Sequence, residues 1–268
     1  MTKGTTQTRL ESIKKLGADV DILDLNYDDC VRQAAKEAAA TPHGVMVQDT
    51  AWDGYEEITS WIMQGYGTMA MEAGEQLKAR GIERPTHIFV QAGVGSLAGA
   101  VVGYFANLYK DNPPKFIVVE ASAAACLYKG AAAGDGKPRM VGGDLDTIMA
   151  GLACGEANPD TWPVLRDHAA AFASCTDALA MRGMRIYGNP LPGDPVVRAG
   201  ESGAVTLGLL AELMQAPEHA ATRGALGLDA TARVLLVNTE GDTDPQRYLE
   251  IVWDGAWPYR PAGGVLRP

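Results

Sequence analysis

Residues 87–99 read HIFVQAGVGSLAG, a buried-strand pattern that runs straight into closely spaced glycines. The small, apolar sequence that follows predicts a helix from Ser96 to about Tyr109. Strand, glycine loop and helix in that order give a local unit that must bury the strand on both faces. FIVVE (Phe116–Glu120) is a second buried strand with an alanine-rich helix after it, and RVLLVN (Arg233–Asn238) is the last clear strand. Further helices are expected near 161–173, 176–186, 203–215 and 217–226. Strands spaced by helices point to an α/β fold, a three-layer parallel sheet with helices on both faces.

The N-terminal stretch alternates in the same way. A helix is expected over Thr5–Leu16, ended by Gly17, and a short strand over Ala18–Leu23. Asn26 is placed to cap a helix through YDDCVRQAAKEAAA, whose acids fall in the first turn. Gly44–Gln48 reads as another strand, and a long helix runs from about Glu56 to Arg80. Residues 131–160 are rich in Gly and Pro and read as loop with short helix. A domain boundary is expected near 50–60, where a loop meets the long helix.

Composition excludes several classes of function. The chain carries 23 basic and 33 acidic residues, a net charge of -10, which repels a phosphate backbone and argues against nucleic acid as a partner. No run approaches the ~18 apolar residues of a membrane span. MTKGTTQTRLE lacks the apolar stretch of a signal peptide, so a cytoplasmic location is expected. Cys30, Cys126, Cys154 and Cys175 are too dispersed for a CxxC motif, and His43, His87, His168 and His219 have no metal-site spacing, so no metal is expected.

The glycine loop is the most informative local feature. Amides exposed at a helix start attract an anion, so Gly93–Leu97 is a candidate phosphate cradle. No Gly-Lys-Ser/Thr follows, so it is not a P-loop. The spacing also fits the relaxed dinucleotide pattern GxGxxA, with Glu120 lying 27 residues after Gly93 as a ribose-binding acid. Close strand–helix packing would demand small residues here as well.

Other constellations admit two readings each. QDTAWDGYEE places Asp49 after a strand, where a carboxylate suits acid–base work, but Asp49 or Asp53 would equally cap the next helix. GESGA (200–204) lacks the last glycine of a serine-nucleophile elbow, which excludes a serine hydrolase. Asn238-Thr239-Glu240-Gly241-Asp242 ends the last strand, either as a plain turn or with a hydroxyl facing the same sheet edge as the glycine loop.

In order along the chain, QDTAWDGYEEI, SWIMQGYGTM, QAGVGSLAGAVVGY, VGGDLDTIMAGLACGE, GNPLPGDPVVRAGESGAV and NTEGDTDPQRY resemble diaminopropionate ammonia-lyase, a pyridoxal-phosphate enzyme of fold type II, the tryptophan-synthase-β-like class. The resemblance covers residues 1 to about 257. It implies that Gly93, Val94, Gly95, Ser96 and Leu97 cradle the phosphate of pyridoxal 5'-phosphate and that Thr239 meets the pyridine nitrogen. It makes Asp49 an active-site acid and places Glu201 and Ser202 in the substrate pocket. Cys126 and Cys154 match a cysteine pair that lies close in the fold. The implied reaction is α,β-elimination from 2,3-diaminopropionate, giving pyruvate and ammonia, in a homodimer with a role in amino-acid catabolism.

The resemblance also exposes a departure. The family's Schiff-base lysine and the Asn-rich stretch after it precede the part matched here, and none of the lysines at 3, 14, 15, 36, 78, 110, 115, 129 and 137 sits in a matching motif. The expectation is an N-terminally truncated chain, with 1–58 a remnant of the small α/β domain and 59–268 most of the large cofactor-binding domain. Such a chain would have little activity without an N-terminal partner fragment. An NAD(P)-binding oxidoreductase, or a non-catalytic remnant needing a partner, are the alternatives.

Overall fold

The computed structural model describes residues 1–258 and the backbone of 265–267. Three helices come first: α1 (Gln7–Lys14), α2 (Tyr27–Ala40) and α3 (Glu57–Ala79). The alternating part follows with β1 (His87–Gln91), α4 (Ser96–Leu108), β2 (Lys115–Ala121), α5 (Cys126–Ala133), α6 (Trp162–His168) and β3 (Ala169–Cys175). It ends with α7 (Asp177–Gly188), α8 (Glu201–Gln215), α9 (Ala220–Leu226), β4 (Val234–Leu236), α10 (Pro245–Val252) and β5 (Val265–Arg267).

The strands form one sheet in the order β4-β1-β2-β3-β5. The first four are mutually parallel, with Ile88 opposite Phe116 and His87 opposite Val234. The parallel sheet is the one expected, and β5 joins its edge antiparallel to β3.

Side-chain alternation along β1 and β2 divides the core in two. Ile88, Val90, Phe116 and Val118 face one side and pack with Val102 and Phe105 of α4. Phe89, Ile117 and Val119 face the other and pack with Leu179 of α7 and with Val205, Leu209 and Leu213 of α8. Neither face meets water, which is why both strands read as continuous apolar runs rather than alternating ones. Each fully buried Phe, Ile or Leu contributes about 1.5–3 kcal/mol. α7 and α8 approach so closely that a Cβ on Gly183 or on Gly208 would overlap the carbonyl oxygen of Ala204 or of Leu179.

The start of α2 follows a local signal. Asn26 accepts a hydrogen bond from the Asp29 amide at 2.9 Å, the cap expected for α2. Three expectations fail. Ala18–Leu23 and Gly44–Gln48 form no strands. A strand exists only through a neighbour, and Ala18–Leu23 is held to residues 1–3 by two bonds, from the Leu23 amide to the Met1 carbonyl and from the Met1 ammonium to the Asp21 carbonyl; Val45 and Val47 are two-thirds exposed. The helix expected over 161–173 stops at His168, and Ala169–Cys175 becomes β3. Alanine's helix propensity is overridden there by pairing with β2 and burial of Ala171, Phe172 and Ala173.

Candidate active site

The carboxyl ends of β1 and β4 open onto a cavity of about 380 Å³, the usual position for a ligand in an open α/β sheet. Its wall contains Asp49, the whole of Gly93–Leu97, Ser202 and Thr239. Chain segments far apart in sequence are thereby brought together.

The glycine loop is shaped by two different demands. Gly95, the N-cap of α4, has φ +100°, a left-handed conformation that costs other residues steric energy. Gly93 is needed for approach, because a Cβ there would lie 3.0 Å from Cys154 Sγ and 3.1 Å from the Gly151 carbonyl oxygen. The amide of Val94 faces the Cys154 sulfur. The amides of Gly93, Gly95, Ser96 and Leu97 donate to no acceptor among the described residues. Four unpaired amides at the start of a 13-residue helix form a site for an anion.

Asp49 stands across the cavity. Its carboxylate accepts a hydrogen bond from the Tyr66 hydroxyl at 3.2 Å. Burial raises its pKa against the opposing effect of that bond. Burial first, and then the Asp49 charge, push the Tyr66 hydroxyl up to about 12. At the end of β1, Gln91 donates from Nε2 to the Thr239 hydroxyl at 3.2 Å. The buried Oε1 of the same side chain has no partner among the described residues, leaving an acceptor on the cavity wall to be met by a ligand donor.

Ser202 lines the cavity, and its hydroxyl accepts from the Gly151 amide at 3.3 Å. Glu201, expected beside it, does not line the cavity. Its carboxylate turns to Arg9, 3.6 Å away, which also holds Glu240 at 3.0 Å. Helix geometry explains the split, since successive residues project about 100° apart. Glu120 is likewise elsewhere: fully buried, it accepts from the Leu127 and Tyr128 amides at 2.9 and 2.7 Å and caps α5. It is not available to a ribose, which removes the support for a dinucleotide. Cys126 and Cys154 are both free thiols, with pKa values raised by burial, and no disulfide joins them.

Tyr27, Tyr66, Gln91, Cys154 and Glu240 also line the wall and were not singled out as site residues from sequence. Tyr66 and Cys154 lie inside motifs that carried the family resemblance; Tyr27 reads only as a first-turn helix residue. None of the nine lysines lines the cavity. Among the described residues no cluster of three His, Cys, Asp or Glu side chains could hold a metal, and no helix is long and apolar enough to cross a membrane.

The chain as a whole is similar to known proteins. Diaminopropionate ammonia-lyase of Salmonella typhimurium is 52% identical over 256 residues, 95% of this chain and 63% of that protein. The crystal structure of the Escherichia coli diaminopropionate ammonia lyase in complex with D-serine superposes with a TM-score of 0.89 at 45% identity, over 97% of this chain and 64% of that one. A fungal L-serine ammonia-lyase from Rhizomucor miehei shares the fold at 19% identity, with a TM-score of 0.71 over 93% of this chain and 71% of that one. The chain thus spans less than two thirds of the length of its diaminopropionate-lyase relatives. The model of the pyridoxal-phosphate dependent enzymes matches residues 1–228, and the chain belongs to that family.

Proposed function

We propose that this chain forms the cofactor-binding part of an ammonia-lyase that converts 2,3-diaminopropionate and water into pyruvate and two molecules of ammonia. The observation that carries the reading is the set of four unpaired amides at Gly93, Gly95, Ser96 and Leu97, facing the same cavity as a buried carboxylate. A phosphate monoester satisfies those donors, and the aromatic ring of pyridoxal phosphate would extend toward Thr239. When bound, the cofactor supplies an electron sink for the pair left when the proton α to the substrate carboxylate is removed.

The chain's own residues bind and orient. The loop amides hold the phosphate without a lysine or arginine, through the positive end of α4. Gln91 fixes the Thr239 hydroxyl for the pyridine nitrogen. Asp49 pairs with a substrate ammonium, and a diamine offers one more than an ordinary amino acid. Its raised pKa returns toward the ordinary carboxylate range when that cation arrives, so the charge is present when it is needed.

No lysine lines the described cavity wall, and in this reading the amine tethering the cofactor is supplied by other polypeptide. Segments 18–23 and 44–48, which belong to no strand, support a complementary segment docking nearby. In this reading residues 1–58 belong to a smaller domain and 59–268 to the cofactor-binding one. A cytoplasmic homodimer acting in amino-acid catabolism follows from the same resemblance.

Thermal unfolding of the chain with pyridoxal phosphate, and separately with NAD, tests the binding claim. Pyridoxal phosphate is expected to raise the midpoint and NAD to leave it unchanged. Protection by NAD alone would reverse the reading.

A further inference from the structure

Asn158 lies outside the cavity wall and is fully buried, yet it joins the two halves of the site. Its Nδ2 donates to the carbonyl oxygen of Asp49 at 2.9 Å and to Ser96 Oγ at 2.7 Å. Ser96 Oγ in turn donates to the same Asp49 carbonyl. The Asn158 amide donates to the carbonyl of Val94 at 2.7 Å, and Oδ1 accepts from the Asp160 amide at 3.0 Å. The side chain therefore ties the acid-bearing loop to the helix end of the glycine loop, while the main-chain amide of the same residue holds the middle of that loop.

We infer that Asn158 is a positioning residue that fixes Asp49 against the anion cradle, so that acid and phosphate are placed as one unit. The chemistry of the amide suits this role. Two hydrogens on one nitrogen serve two acceptors while the oxygen serves a third group, and no other side chain of that size supplies both. Residues 48–51 have no helix or strand of their own, so their position depends on such bonds. The bracket also occupies the Ser96 hydroxyl, so Ser96 offers an anion its amide alone.

The inference rests on the proposed function for what the cradle holds, whereas the bracket can be tested without ligand. Amide hydrogen exchange is followed in the wild type, Asn158→Ala and Asn158→Asp, alone and with pyridoxal phosphate. In Asn158→Ala, residues 48–53 should exchange about tenfold faster, the scale of one or two lost buried hydrogen bonds. The amides of β1 and β2 should not change. Asn158→Asp keeps the acceptor for Asp160 but lacks a donor when ionised. Its segment 48–53, corrected for intrinsic exchange, should recover on acidification, whereas that of Asn158→Ala should not.

With pyridoxal phosphate, wild type should slow at both 93–97 and 48–53, and Asn158→Ala at 93–97 only. Unchanged exchange at 48–53 in Asn158→Ala, or a rise matched by the strands, would overturn the inference. If Asn158→Ala does not fold, Ser96→Ala removes the other arm and is read in the same way. Absence of protection at 93–97 in the wild type would count against the cofactor reading and not against the bracket.

Discussion

Replacing Gly95 by alanine probes the cradle where its conformation is least replaceable. At φ +100° an L side chain is strained by about 1–3 kcal/mol. The new Cβ would also lie 3.1 Å from Leu165 Cδ1 and 3.2 Å from Thr161 Oγ1, both in the buried core behind the loop. Either the strain is retained or the loop relaxes and turns its amides away. The first outcome lowers stability by about 1–3 kcal/mol, which for a domain of this size moves the thermal midpoint by about 2–12 °C. The second weakens phosphate binding as well. Gly103→Ala, about two helix turns farther along α4, is the control: its Cβ meets only Val164 Cγ1, at 3.9 Å, and Gly103 is helical, so a neutral or stabilising effect is expected. Scanning calorimetry of both variants, with and without pyridoxal phosphate, makes the comparison. If Gly95→Ala melts with the wild type and binds equally well, left-handed geometry is not what the loop requires.

Three other substitutions address separate parts of the account. Burial holds Glu120 up at about 8, against an ordinary 4.5, despite two amide donors. The folded state keeps a proton that the unfolded chain releases, so this group's contribution is fullest below pH 4.5 and falls by about 1.4 kcal/mol per unit as pH rises toward 8. Urea titrations between pH 5 and 8 should show that slope in the wild type and lose it in Glu120→Gln; equal slopes would mean an ionised carboxylate throughout. Gly208→Ala drives a methyl into the Leu179 carbonyl and should cost about 3 kcal/mol, read as a lower urea midpoint, with an unchanged midpoint refuting the close α7–α8 contact. In a preparation that shows the proposed lyase activity, Asp49→Ala should lower turnover about a hundredfold, and near-normal turnover would remove Asp49 from the site.

The sheet's centre was legible because it is buried twice over. β1 is buried at all five positions and carries Ile88, Phe89 and Val90 without a polar interruption, so its span was readable to the residue. β3 was not legible, since AAAFASC is alanine-rich and its pairing with β2 bridges two helices and a long loop. α10 was missed although its signal is local: Asp244 accepts from the Arg247 amide at 3.3 Å and Pro245 fills the first turn. Of the site, the glycine loop was visible as a pattern, but its ligand was not, because GxGxxA serves several phosphates. The fate of Glu120 shows why. Spacing alone brought it to the end of β2, and only three-dimensional contact shows that its oxygens are occupied by α5. Asn158 left no sequence signal, since it acts on residues 62 and 109 positions away.

The central claim is that the amides of 93–97 hold the phosphate of pyridoxal phosphate, and a crystal structure of the chain with that cofactor tests it directly. The account predicts phosphate oxygens within hydrogen-bonding distance of the Gly93, Gly95, Ser96 and Leu97 amides. A phosphate bound elsewhere, with those four amides facing solvent, would contradict it.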